Sequence, residues 1–263
     1  TLLDSDMGKL ILANFDEVSA NTYHHLIDLS TAIRTRIEAA GNQVRYTAYG
    51  YHGTGILIGD EYRWQTYTNY TQGYAKMRLE DVARKAWADG IKATVYNCPE
   101  IRTNSSDVFA GIELPLIPLL LALKKEGGGA WAEELWQACQ ERLADGYTVE
   151  DTLQKIIDLQ ADEVMQPFYD FKRWPMPNSQ GQSDLTIGTS AEITQMHKDS
   201  KVLISDLLST LVVEATGQLI FAETSNPTGP VVWLNHDIVA RKLNSTHESN
   251  ADAGVTEKVR MLA

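Results

Sequence analysis

Cysteine is scarce, with only Cys98 and Cys139 in 263 residues. Two widely separated thiols build no disulfide framework and match no zinc-ligand spacing, which makes a reducing compartment the expectation. Bases are short as well: 23 Lys and Arg stand against 35 acids, for a net charge of -12. That balance excludes broad nucleic-acid binding, which needs clustered cations on phosphates. It equally disfavours an anionic membrane surface. Long apolar runs are missing too. The longest charge-free one, 114–123, contains Pro115 and Pro118 and is about half the roughly 20 residues a membrane span needs. No leader-type stretch is read at the start, so the expected location is the cytoplasm or an assembled particle.

Catalytic signatures are also lacking. There is no Gly-x-Ser-x-Gly elbow, no internal repeat and no low-complexity tract. Gly50, Gly53 and Gly55 have neither usual nucleotide-loop spacing, and a strand pattern follows them where an anion site needs a helix. Gly127 to Gly129 do precede a helix, but Glu133 and Glu134 in its first turn would repel a phosphate. His24 and Asp28, four apart on one helix, read as a surface pair. No cofactor and no metal is therefore expected.

What is present in excess is tyrosine between residues 45 and 74, where seven of the eleven fall, with Trp64 and five glycines. Residues 54–58 and 61–71 read as two strands around a Gly59-Asp60 turn. On the second strand Tyr62, Trp64 and Tyr70 alternate with Glu61, Arg63 and Tyr67, so neither face is aliphatic. Such a hairpin is expected to project as an arm.

The remaining pattern places strands at 9–13, 91–96, 218–223 and 231–235, the last two as a hairpin, and a long helix at 18–40. A helix at 78–89 follows the arm, and a helical block covers 113–172, with Thr148 capping one member. Residues 179–183 read as a linker and 244–263 as a polar tail. The fold class is α+β, with a mixed or antiparallel sheet. Its parts are 1–112, 113–178, 179–243 and the tail 244–263. The expected core includes Leu26, Leu29, Ile33, Ile37, Val82, Leu135, Leu153, Ile157 and Phe168.

Two functions are weighed. The first is a self-assembling structural protein of the virus or phage shell or tail type, a homo-oligomer using the hairpin and both termini as interchain arms. Tyr49, Tyr51, Tyr62, Trp64, Tyr67 and Tyr70 would form its interfaces, since aromatics with one polar tip suit them. The alternative is an enzyme acting on a polar, sugar-like small molecule. Its site would use His52, Asp60 and Glu61 between Tyr and Trp walls.

Overall fold

The structure is a computed structural model that describes residues 4–50, 53–65, 71–103, 110–166 and 179–252. Among the described residues helix predominates over five short strands, and parallel and antiparallel pairings coexist, so the α+β class holds.

The chain opens with helix, not with the strand expected at 9–13. Ser5 accepts from the Gly8 N–H at 3.1 Å and caps α1 (Asp6–Phe15). A π-helical segment (Asp16–Asn21) leads into α2 (Thr22–Leu29), and α3 (Thr31–Ala39) follows after Ser30. The expected 18–40 helix is thus real but interrupted twice. Its core face is different from the one expected. Ala20, Tyr23 and Ile27 are buried, whereas Leu26, Leu29 and Ile33 are exposed, Leu29 to 85%. Two stripes at helical spacing compete on this segment. The buried one carries a tyrosine whose hydroxyl donates to the Thr94 carbonyl at 3.4 Å.

β1 (Arg45–Gly50), hidden inside the tyrosine-rich stretch, is a strand that the sequence pattern did not separate. β2 (Thr54–Ile58) and β3 (Glu61–Gln65) form the expected antiparallel hairpin, turning at Gly59 with φ +60°. The hairpin does not project. Ile56, Leu57 and Ile58 are buried in the main core, and Tyr62 donates to Glu126 Oε1 at 2.8 Å. α4 (Thr71–Ala88) begins within the residues expected to end the second strand. It closes at Gly90, φ +80°, where the Ile91 N–H reaches back to the Ala86 carbonyl at 2.8 Å. β4 (Lys92–Asn97) then pairs in parallel with β1, giving a strand-helix-strand unit.

The helical block follows. It contains α5 (Glu113–Leu116), α6 (Leu119–Lys125), α7 (Gly129–Gln140) and α8 (Val149–Ala161). Leu135 and Leu153 are buried as expected, Ile157 packs half-buried against them, and Phe168 lies outside the described residues. Thr148 and Asp151 form the expected cap as a reciprocal box.

The last third departs most. Ser179 and Gln182 form a second capping box, so the supposed linker is the start of α9 (Gln180–Gln195). α10 (Ile204–Thr224) absorbs the strand expected at 218–223. Among the described residues it is the one helix long and apolar enough to cross a membrane, yet Leu207, Leu208, Leu211 and Val212 are buried in the core. β5 (Val231–Trp233) pairs in parallel with β4 instead of closing a hairpin. α11 (His236–Asp252) carries helix into the supposed polar tail. There Asn244 is buried, donating to the Leu123 and Glu126 carbonyls at 3.1 and 2.9 Å. The sheet order β1-β4-β5 puts all three carboxyl ends on one edge.

Candidate functional site

That edge is where open parallel sheets present groups to a ligand. Gly50, Asn97 and Trp233 are aligned across it in register. Glycine is required at position 50, because a Cβ there would sit 2.2 Å from Asn97 Oδ1 and 2.7 Å from Val95 Cγ1. The Asn97 amide passes over Gly50 and donates to Glu80 Oε1 at 2.8 Å. Glu80 is buried, and its other oxygen accepts from Arg84 at 2.8 Å. A charge so placed must be paired, and the pairing locks α4 to the end of β4. Gly50→Ala would push the Asn97 amide off Glu80 and is expected to cost about 1–3 kcal/mol in a urea titration.

One turn before Glu80, Lys76 is half-buried and its Nζ donates to the Tyr49 carbonyl at 3.4 Å. Burial lowers its pKa from the ordinary lysine range. On the other side of the edge, Asn235 accepts from the Gly55 N–H at 2.8 Å, which ties the hairpin to the end of β5. Trp64 meets Trp233 edge-on, ring centres 6.5 Å apart. Downstream of β4, the Arg102 N–H donates to Ser209 Oγ at 2.6 Å and its guanidinium pairs with Asp206 at 3.2 Å. These contacts fix the strand-to-loop exit on α10.

His236 follows β5 directly. It is fully buried with both ring nitrogens unpartnered, and burial pushes its pKa down to about 3. The unfolded chain takes up this proton near pH 6.5, while the folded one resists until about 3. Its contribution is therefore whole above pH 6.5 and is lost as the pH falls toward 3, at about 1.4 kcal/mol per pH unit. His197, lowered for the same reason, adds with the same sign. Urea midpoints measured from pH 7 to 5 should fall, and His236→Phe should flatten the slope. Cys98 is no nucleophile, since burial raises its thiol to about 12. Among the described residues no cluster of ligating side chains exists for a metal ion.

The site residues expected from the sequence do not converge here. Asp60 and Glu61 are exposed at the hairpin turn, away from the edge. Tyr49 is largely exposed, its carbonyl alone serving Lys76, and Tyr62 faces Glu126. Trp64 is the one that reaches the edge. Tyr51, His52, Tyr67 and Tyr70 lie outside the described residues. Lys76, Glu80, Asn97 and Asn235 were missed. The available signals were a glutamate beside Leu79 on the apolar face of α4, and an asparagine directly after Val95-Tyr96 at the end of β4.

A family model described as "Enoyl-acyl carrier protein reductase FabMG" matches residues 1–243. The chain belongs to that family. This overturns the reading as a virus or phage shell or tail subunit, and with it the assembled particle and the interchain-arm role of the hairpin. Of the two functions weighed, the enzyme is the better supported. Two solved structures agree. One, the apo structure of a FabMG described as a novel type of enoyl-acyl carrier protein reductase, is 64% identical with a TM-score of 0.90 over 94% of this chain and 56% of its own. The other, an NADH-bound FabMG, is 58% identical with a TM-score of 0.79 over 94% of this chain and 59% of its own. The chain thus spans under three-fifths of either solved chain. No curated protein matches it.

Proposed function

We propose that the protein reduces the carbon–carbon double bond of an enoyl thioester carried on acyl carrier protein, using NADH. The observation that carries this is the family match over residues 1–243, and the NADH-bound structure at 58% identity supports the choice of cofactor. The expectation of no cofactor gives way to this reading.

The described residues fit part of a dinucleotide. Asn97, Asn235, Trp233 and Trp64 put amide and aromatic groups at the carboxyl edge, suited to a nicotinamide ring and its carboxamide. A glycine-rich turn between strand and helix, the usual diphosphate cradle, is not among them. When bound, NADH supplies the hydride that reaches the β carbon.

The remaining work is assigned to this chain's own groups. Hydride addition leaves negative charge on the thioester oxygen and requires a proton at the α carbon. Lys76 is the cation at the sheet edge suited to meet that charge, and its burial eases release of a proton. Glu80, held by Asn97 and Arg84, keeps this turn of α4 in place. Trp64 and Trp233 exclude water at the edge.

The test is NADH oxidation at 340 nm with an enoyl thioester on acyl carrier protein, with mass spectrometry of the acyl group. Gain of two hydrogens matched to NADH consumed is the expected result. NADH left unconsumed across enoyl chain lengths would sink the proposal.

A further inference from the structure

β3 turns two aromatic side chains to the same side, because residues two apart on a strand share a face. One is Tyr62, half-buried, whose hydroxyl donates to Glu126 Oε1 at 2.8 Å. The other is Trp64, which stands edge-on to Trp233 at the carboxyl edge of the sheet. Glu126 ends α6, and its side chain is only 17% exposed. A carboxylate so far withdrawn from water needs donors on both oxygens. It has them, since the Arg241 guanidinium donates to Oε2 at 2.8 Å. Arg241 bonds in turn to Asp237 at 2.5 Å, one turn earlier on α11.

α11 starts at His236, just after β5, so these contacts close on themselves. The chain itself joins Trp233 to Asp237. Hydrogen bonds join Asp237 to Arg241, Arg241 to Glu126 and Glu126 to Tyr62, and β3 leads back to Trp64 and its partner Trp233. A second tie lies inside the ring. Gly55 stands opposite Trp64 in the hairpin register, and its N–H donates to Asn235 Oδ1 at 2.8 Å. That bond fixes the place of the Gly55–Trp64 pair but leaves rotation about it open. β2 is buried throughout while β3 is the more exposed strand, and apolar packing, being non-directional, sets the rotation weakly. The Tyr62 hydroxyl, one position further along the same face, removes it.

We propose that Glu126 is a positioning residue for the reaction: aligned by Arg241, it grips Tyr62 and so holds Trp64 against Trp233, where the nicotinamide ring of NADH is received. Glu126 and Tyr62 act through Trp64 and do not themselves meet the cofactor. This role rests on the NADH-dependent reduction proposed above.

Steady-state NADH oxidation by purified variants tests it, with far-ultraviolet circular dichroism to establish folding. Tyr62→Phe removes one hydroxyl and keeps the ring, while Glu126→Leu removes both acceptors. Each should raise KM for NADH about tenfold with kcat within about threefold of wild type. A purely structural loss would instead lower the folded fraction, and with it the apparent kcat, at unchanged KM. Glu126→Gln keeps an oxygen for Tyr62 and should stay within about threefold of the wild-type KM. The double variant Tyr62→Phe/Glu126→Leu should be no worse than the worse single one, because both changes break the same bond. In the tryptophan region of the near-ultraviolet circular dichroism spectrum, which needs no turnover, Tyr62→Phe should lose the signal that Trp64→Phe loses. If Glu126→Leu does not fold, Tyr62→Phe decides alone. A folded Tyr62→Phe with wild-type KM for NADH would overturn the positioning role and leave the reduction standing. Glu126→Gln as impaired as Glu126→Leu would overturn it too, since the bond to Tyr62 would then not be what matters. A wild type that neither binds nor oxidises NADH would sink the reductase reading itself, and this role with it.

Discussion

Leu120→Ala is expected to lower the unfolding free energy by about 2–5 kcal/mol, while Leu29→Ala should change it by less than about 0.5 kcal/mol. Both are leucines in helical segments with apolar neighbours at three and four residues. They differ in what surrounds them. Leu120 is 1% exposed, in the cluster where α6 meets the hairpin and α11. Removing its isobutyl group leaves a space bounded by Leu116, Ile117, Leu123 and their partners, which relax only partly. Leu29 stands in solvent, so alanine removes little buried area. Urea or thermal denaturation of the two variants side by side measures the difference. Equal losses would show that α2 turns its other flank inward.

Lys76→Met is expected to reduce enoyl-thioester reduction by about 10²–10⁴-fold, the range for a lost acid or charge-stabilising group. Methionine keeps most of the side-chain volume and cannot donate to the Tyr49 carbonyl. Folding should survive, because Lys76 is half-buried and makes that one bond among the described contacts. Lys76→Arg retains charge but not the lowered pKa, so it should recover binding more than turnover. The split between kcat and KM separates these effects. A Lys76→Met enzyme with unchanged kcat would remove the assignment and leave the reduction itself to other groups.

Local chemistry made several elements legible. The Gly59-Asp60 turn sets a hairpin because glycine alone adopts its positive φ without strain. Thr148 with Asp151 starts α8 by satisfying backbone donors within four residues. Ser179 and Gln182 do the same for α9, a readable signal that the polar composition of 179–183 obscured. By contrast, 218–223 carries apolar and aromatic residues that suit either structure. The burial of Leu207, Leu211 and Val212 about two to three turns upstream made it helix.

The site was far less legible, since its residues meet only through parallel pairing. Tyr49 and Lys76 are joined across a strand-helix crossover, and Gly55 and Asn235 lie 180 positions apart. No spacing rule links such pairs, because the sheet register that aligns Gly50, Asn97 and Trp233 depends on packing of both faces. The tyrosine-rich stretch drew attention as composition, while the groups at the sheet edge are single residues of common types.

The sequence by itself determined the α+β class, the Gly59-Asp60 hairpin turn and the Thr148 cap of α8, all read from neighbouring residues. Only the tertiary structure decided which stripe of α2 is core, that β1, β4 and β5 run parallel, and that Lys76, Glu80, Asn97 and Asn235 share one edge. The physical reason is that burial and register are settled by competition among distant surfaces, which no window of adjacent residues contains.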